Sequence, residues 1–139
     1  MKRERILVVE DEESLLKLES ILLSSKGYSV TGVMDGRSAL EEVRANRPDL
    51  VILDIMLPEI DGFEVCRQIK EDPDTRHIPV LILTAKKNSQ DLARGQQVGC
   101  DAYITKPFKS AKVLDMVQEL LARQGGGAGA GQPGSRPGE

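Results

Sequence analysis

Four short runs of apolar or β-branched residues in this chain end on a polar residue able to do chemistry. Ile6-Leu7-Val8-Val9 is followed by Glu10-Asp11, Val51-Ile52-Leu53 by Asp54, Val80-Leu81-Ile82-Leu83 by Thr84, and Tyr103-Ile104-Thr105 by Lys106. Three carboxylates held close together repel one another and raise each other's pKa unless a cation stands among them. Mg²⁺ meets that need, because it takes oxygen ligands and keeps several waters. In this reading Asp11 and Asp54 ligate directly, Glu10 binds through water, and a backbone carbonyl just past Asp54 adds one more oxygen. A carboxylate also accepts a phosphoryl group when metal and ammonium neutralise the transferring oxygens. Asp54 is the central candidate for that, with Lys106 as a point charge and Thr84 as a hydroxyl donor.

Taken singly, most of these residues have plainer uses. Glu10-Asp11 suits the start of a helix, Thr is common in strands, and a lone Lys is usually a solvated charge. Asp54 differs, because a carboxylate directly after Val51-Ile52-Leu53 is costly to bury without a partner. The set carries meaning only if the fold gathers these run ends at one place.

The spacing predicts such a fold. Strands are expected at Arg5 to Val9, Ser29 to Val33, Leu50 to Leu53, Val80 to Leu83 and Ala102 to Ile104. Between them lie helical patterns. Leu15, Leu18, Leu22 and Leu23 form one apolar face, closed by Gly27; Ala39, Leu40 and Val43 form a second, closed by Pro48. A third helix follows Asp61-Gly62, with Phe63, Cys66 and Ile69 on one side. The fourth, capped by Asn88 or Ser89, has few apolar residues (Leu92, Ala93, Val98), and the fifth runs roughly from Ser110 to Arg123. Alternating strands and helices with near-continuous apolar strands imply an α/β, doubly wound parallel sheet covered on both faces, a three-layer sandwich. Right-handed crossovers then place the residues after each strand along one rim, where ligands bind.

Composition narrows the function. The 139 residues carry 19 Lys plus Arg against 22 Asp plus Glu, a net charge of −3, which argues against a direct nucleic-acid footprint. The apolar run after Lys2-Arg3 stops at Glu10, too short for a signal peptide, and Asp54 interrupts the longest stretch, so the chain reads as soluble and cytoplasmic, without a membrane span. Cys66 and Cys100 lack metal-site spacing and read as reduced core fillers. Residues 1–123 are expected to form the domain. Seven of the 13 glycines fall after Arg123, so residues 124–139 read as a disordered Gly/Pro-rich tail or linker.

Residues 4 to 123 resemble the receiver domain of bacterial two-component response regulators, the chemotaxis regulator among them. The resemblance rests on Ile6-Leu7-Val8-Val9-Glu10-Asp11-Glu12, Pro48 through Pro58 around Asp54, Asp61-Gly62, Pro79 through Ala85 and Tyr103-Ile104-Thr105-Lys106-Pro107-Phe108. It implies a flavodoxin-like fold with strand order 2-1-3-4-5 and five helices. Asp54 is then the phosphoacceptor, forming 4-aspartylphosphate with a phosphoryl group from a sensor histidine kinase or phosphotransfer protein. It implies Mg²⁺ held by Glu10, Asp11, Asp54 and the Met56 carbonyl, Lys106 on the phosphoryl oxygens, and a cis Lys106-Pro107 bond. Thr84 and Tyr103 form a switch read out on the surface of helix four, strand five and helix five. Such a protein catalyses only its own phosphorylation and dephosphorylation.

Nothing foldable follows Arg123, so output is expected through a downstream protein effector. Ala102 follows Asp101 where many winged-helix relatives carry a second acid, so the expected state is a monomer or a weak phosphorylation-dependent dimer. Aspartyl phosphatases usually show a second Asp two residues after the first, and position 56 is Met. A flavodoxin-like cofactor binder needs a phosphate-cradling loop where this chain has Glu10-Asp11-Glu12-Glu13. The third alternative keeps the fold and signals by contact alone.

Overall fold

The computed structural model describes residues 3–130. Five strands, β1 (Arg5–Val9), β2 (Ser29–Val33), β3 (Leu50–Leu53), β4 (Val80–Thr84) and β5 (Ala102–Thr105), alternate with five helices. These are α1 (Glu13–Ser24), α2 (Gly36–Asn46), α3 (Gly62–Glu71), α4 (Ser89–Gln97) and α5 (Ser110–Ala130). All pairings are parallel, in the order β2-β1-β3-β4-β5. The fold class is the expected one. Thr84 and Thr105 extend the last two strands by one residue each.

The sheet separates two apolar layers. One joins Ile6, Val8, Ile52, Leu81 and Leu83 to Leu23 of α1 and to Val113, Val117 and Leu120 of α5; the other joins Leu7, Val9, Val51 and Leu53 to α2 and α3. Alternate residues of β1 serve opposite layers, as the pleat requires. Cys66 is buried in the second layer, and both cysteines are free. Burial pushes the Cys66 thiol up to about 12 and that of Cys100 to about 11, so both stay protonated.

Helix starts follow local chemistry. Asp35, Asp61 and Asn88 accept the Ser38, Glu64 and Asp91 N–H groups at 2.7, 3.0 and 2.9 Å, which decides the start of α4 in favour of Asn88 over Ser89. Arg47 closes α2 at φ 46°, ahead of Pro48, and the Arg5 guanidinium donates to the carbonyls of Asn46 and Arg47 at 2.6 Å each.

Two expectations need correction. The inward stripe of α1 is not Leu15, Leu18, Leu22 and Leu23: Glu19 and Leu23 are buried, Leu16 packs beside them, and Leu18 is 55% exposed. Leu16, Glu19 and Leu23 also fit a helical stripe, and docking on β1, β2 and α5 selects that register. Helix α5 does not stop at Arg123 but reaches Ala130, because glycine only weakens a helix and the first proline comes at 133. The remainder of the expected tail, 131–139, lies outside the described residues. Among the described residues no helix is long and apolar enough to cross a membrane.

Candidate functional site

The sheet register brings the strand ends into step. Val9 lies opposite Leu53, Leu53 opposite Ile82, and Thr84 opposite Thr105. The next backbone bonds continue the ladder: Asp54 N–H donates to Val9 O at 3.0 Å and Lys106 N–H to Thr84 O at 2.8 Å. Glu10 and Asp54 are thereby neighbours, and Lys106 reaches them from the sheet edge.

The Lys106 ammonium bridges the two carboxylates, donating to Glu10 Oε1 at 2.6 Å and to Asp54 Oδ2 at 2.9 Å. Glu10 is only 2% exposed and Asp54 only 5%. The other oxygen of each is also held, Glu10 Oε2 by the Glu12 N–H at 3.2 Å and Asp54 Oδ1 by the Met56 N–H at 2.9 Å. Burial raises the Glu10 pKa even though Lys106 pulls it down. For Lys106 burial alone would lower the pKa, and the hydrogen bonds to Glu10 and Asp54 reverse that, leaving a secure ammonium. The Lys106-Pro107 bond is cis.

Asp11 does not join this buried trio. It stands exposed on the rim, because successive residues leaving an extended strand point opposite ways. Accordingly, among the described residues no three acidic or His/Cys side chains already form a metal cage. The donor chemistry still fits a hard divalent cation: Glu10, Asp11, Asp54 and the Met56 carbonyl offer only oxygen. The charge balance fits too, since two buried carboxylates, Glu10 and Asp54, share the one Lys106 ammonium. Glu19, on α1 and 3% exposed, is pushed up to about 7 by burial and then by the charge of Glu10. Its Oε2 has no hydrogen-bond partner. One lysine does not neutralise this region.

Sequence reasoning missed Glu19. Its burial follows from the register of α1, and the competing leucine stripe hid it. The expected switch pair is better defined. Thr84 is fully buried, its hydroxyl accepting the Lys86 N–H at 3.4 Å, while Tyr103 is half-buried and donates its hydroxyl to the Lys86 carbonyl at 2.6 Å. Burial, and next the charge of Asp91, push the Tyr103 phenol up to about 12, so it remains a donor. Both residues therefore meet on the backbone of Lys86.

Comparison with known proteins agrees with this fold. Residues 6–118 match the response regulator receiver domain. The transcriptional regulatory protein CseB of Streptomyces avermitilis is 39% identical over 96% of this chain and 54% of its own length. The alkaline phosphatase synthesis transcriptional regulatory protein PhoP of Bacillus subtilis is 42% identical over 86% and 49%. The DNA-binding response regulator MtrA of Mycobacterium tuberculosis is 42% identical over 87% and 52%. This chain thus spans about half the length of these relatives. Among solved structures, a response regulator from Chloroflexus aurantiacus superposes with a TM-score of 0.84 at 32% identity, covering 88% of this chain and all of the other. The signal receiver domain of a histidine kinase from Syntrophus aciditrophicus gives 0.81 at 35%, covering 96% and 97%.

Proposed function

Because this chain belongs to the response regulator receiver domain family, we propose that Asp54 accepts a phosphoryl group from the phosphohistidine of a sensor histidine kinase or phosphotransfer protein. One carboxylate oxygen of Asp54 attacks phosphorus, the P–N bond to the donor imidazole breaks, and the leaving nitrogen takes a proton. The observation that carries this reading is the Lys106 ammonium held at 2.9 Å from a buried Asp54 and at 2.6 Å from a buried Glu10.

The chain's own residues divide the work. The Met56 N–H fixes the orientation of the Asp54 carboxylate. Lys106 offers charge to the transferring oxygens, and the Thr84 hydroxyl becomes a donor to them once its bond from Lys86 is given up. Glu10, Asp11, Asp54 and the Met56 carbonyl would hold Mg²⁺, which supplies charge neutralisation for the phosphoryl oxygens. Loss of the bond from the Lys86 N–H to Thr84 loosens the backbone whose carbonyl anchors Tyr103, so the ring turns and alters the surface of α4, β5 and α5. That surface then controls a partner protein. The chain works in the cytoplasm as a monomer or weak phosphorylation-dependent dimer, and acts on no substrate beyond its own acyl phosphate.

Intact-protein mass after incubation with acetyl phosphate tests the reading. Wild type is expected to gain one phosphoryl group only with Mg²⁺, and Asp54→Asn none. No gain in wild type would leave a receiver that signals by contact alone.

A further inference from the structure

The turn that opens α3 touches the acceptor on one side and α4 on the other. A Cβ on Gly62 would lie 2.4 Å from the Asp54 carbonyl oxygen and 2.4 Å from Ile55 Cα. The Gly62 N–H donates to Ile55 O at 3.0 Å. The φ of Gly62 lies outside the left-handed region, so contact with the acceptor backbone is what requires glycine here.

On the far side, the Arg94 guanidinium of α4 lies 4.5 Å from the centroid of the buried Phe63 ring. Its Nη2 is 3.9 Å from Asp61 Oδ2, whose sister oxygen caps α3. Helix α4 is otherwise held lightly along its length: Gly95, against the Tyr103 ring, is its one buried residue, Leu92 is exposed, and the other packing comes at its end, from the C-cap Val98.

We propose that Arg94 is a positioning residue, a clasp that holds α4 in its resting place and ties it through Phe63 and Gly62 to the backbone of Asp54. This route differs in its contacts from that of Thr84 and Tyr103 on Lys86, although the Tyr103 ring packs against the same small cluster as Phe63. Its bearing on signalling rests on the receiver reading above, whereas the clasp itself is a property of the resting chain.

Amide hydrogen exchange on the full chain tests it, with Arg94→Ala and Arg94→Lys beside wild type, before and after acetyl phosphate with Mg²⁺. Alanine is the better helix former, so intrinsic propensity opposes any loosening. Lysine keeps the favourable charge near the helix C-terminus but lacks the flat guanidinium that stacks on a ring. The clasp predicts exchange about three-fold faster over residues 89–97 in both resting variants. It also predicts unchanged protection in β1 and β3, and a smaller difference in α4 between resting and phosphorylated protein. Wild-type exchange in Arg94→Lys, with or without loosening in Arg94→Ala, would overturn it, as would a loss of protection spread over the whole sheet. If wild type gains no phosphoryl mass the phosphoacceptor reading fails, and exchange in the resting chains still decides the clasp.

Discussion

Asp54 is held at both oxygens, and the residue that holds one of them, Met56, also stands beside the approach to it. Met56 is 50% exposed, and under the phosphoacceptor reading its bulk would obstruct a water attacking the acyl phosphate. Met56→Asn is therefore expected to lose phosphoryl about five-fold faster, equivalent to ~1 kcal/mol of barrier; radiolabel decay no faster than wild type would remove the shielding role. Glu19 makes a second prediction. Its folded pKa of about 7 lies above the ordinary 4.5, so the folded state holds the proton more tightly than the unfolded chain, and stability falls as pH rises between those values. Glu19→Gln should gain on the order of 1–3 kcal/mol over wild type at pH 8, and much less at pH 5, in urea melts at the two pH values. Equal stability throughout would show that the carboxylate has found a partner. Asp54, Thr84 and Lys106 were legible in the sequence because each ends an apolar run, and Glu10 because it opens an acidic pair. Glu19 was not, since no spacing of its own neighbours distinguishes it from a solvated glutamate.

At the level of elements, alternation and turn residues foretold all five strands and the order of helices. They failed where two stripes compete on one helix, as in α1, and where nothing in the chain stops a helix, as in α5. The link between α3 and the acceptor was visible only as the dipeptide Asp61-Gly62; the close approach that explains the glycine is a fact of packing. Gly62→Ala cannot be absorbed by a flexible side chain, because the atoms in the way are backbone. It is expected to cost about 1–3 kcal/mol in a denaturant melt and to slow mass gain from acetyl phosphate by shifting Asp54. Gly27 is the contrasting case: at φ +93° with nothing within 4 Å, it serves the backbone alone, and its replacement should leave phosphorylation unaffected.

For the whole molecule, a ligand that binds only the folded site adds to stability by mass action. Mg²⁺ at ten times its Kd should contribute about 1.4 kcal/mol, seen as a rise in Tm of a few degrees that is smaller in Asp54→Asn. The absence of any rise in wild type would count against the ligand set proposed for Mg²⁺. The two layers on either side of the sheet do not depend on that ion, so its removal should leave the fold intact. The bond from Lys106 to Glu10 joins residues 96 apart, and that from Lys106 to Asp54 spans 52. During synthesis the first three strands leave the ribosome long before β5, and β5 is the last strand and lies at the sheet edge. A nascent or partly unfolded chain can therefore carry Asp54 just past the end of β3 and still lack the ammonium beside it. Under the phosphoacceptor reading, competence to receive the phosphoryl group arrives only with the final strand, so the chemistry itself reports that all five strands are in place.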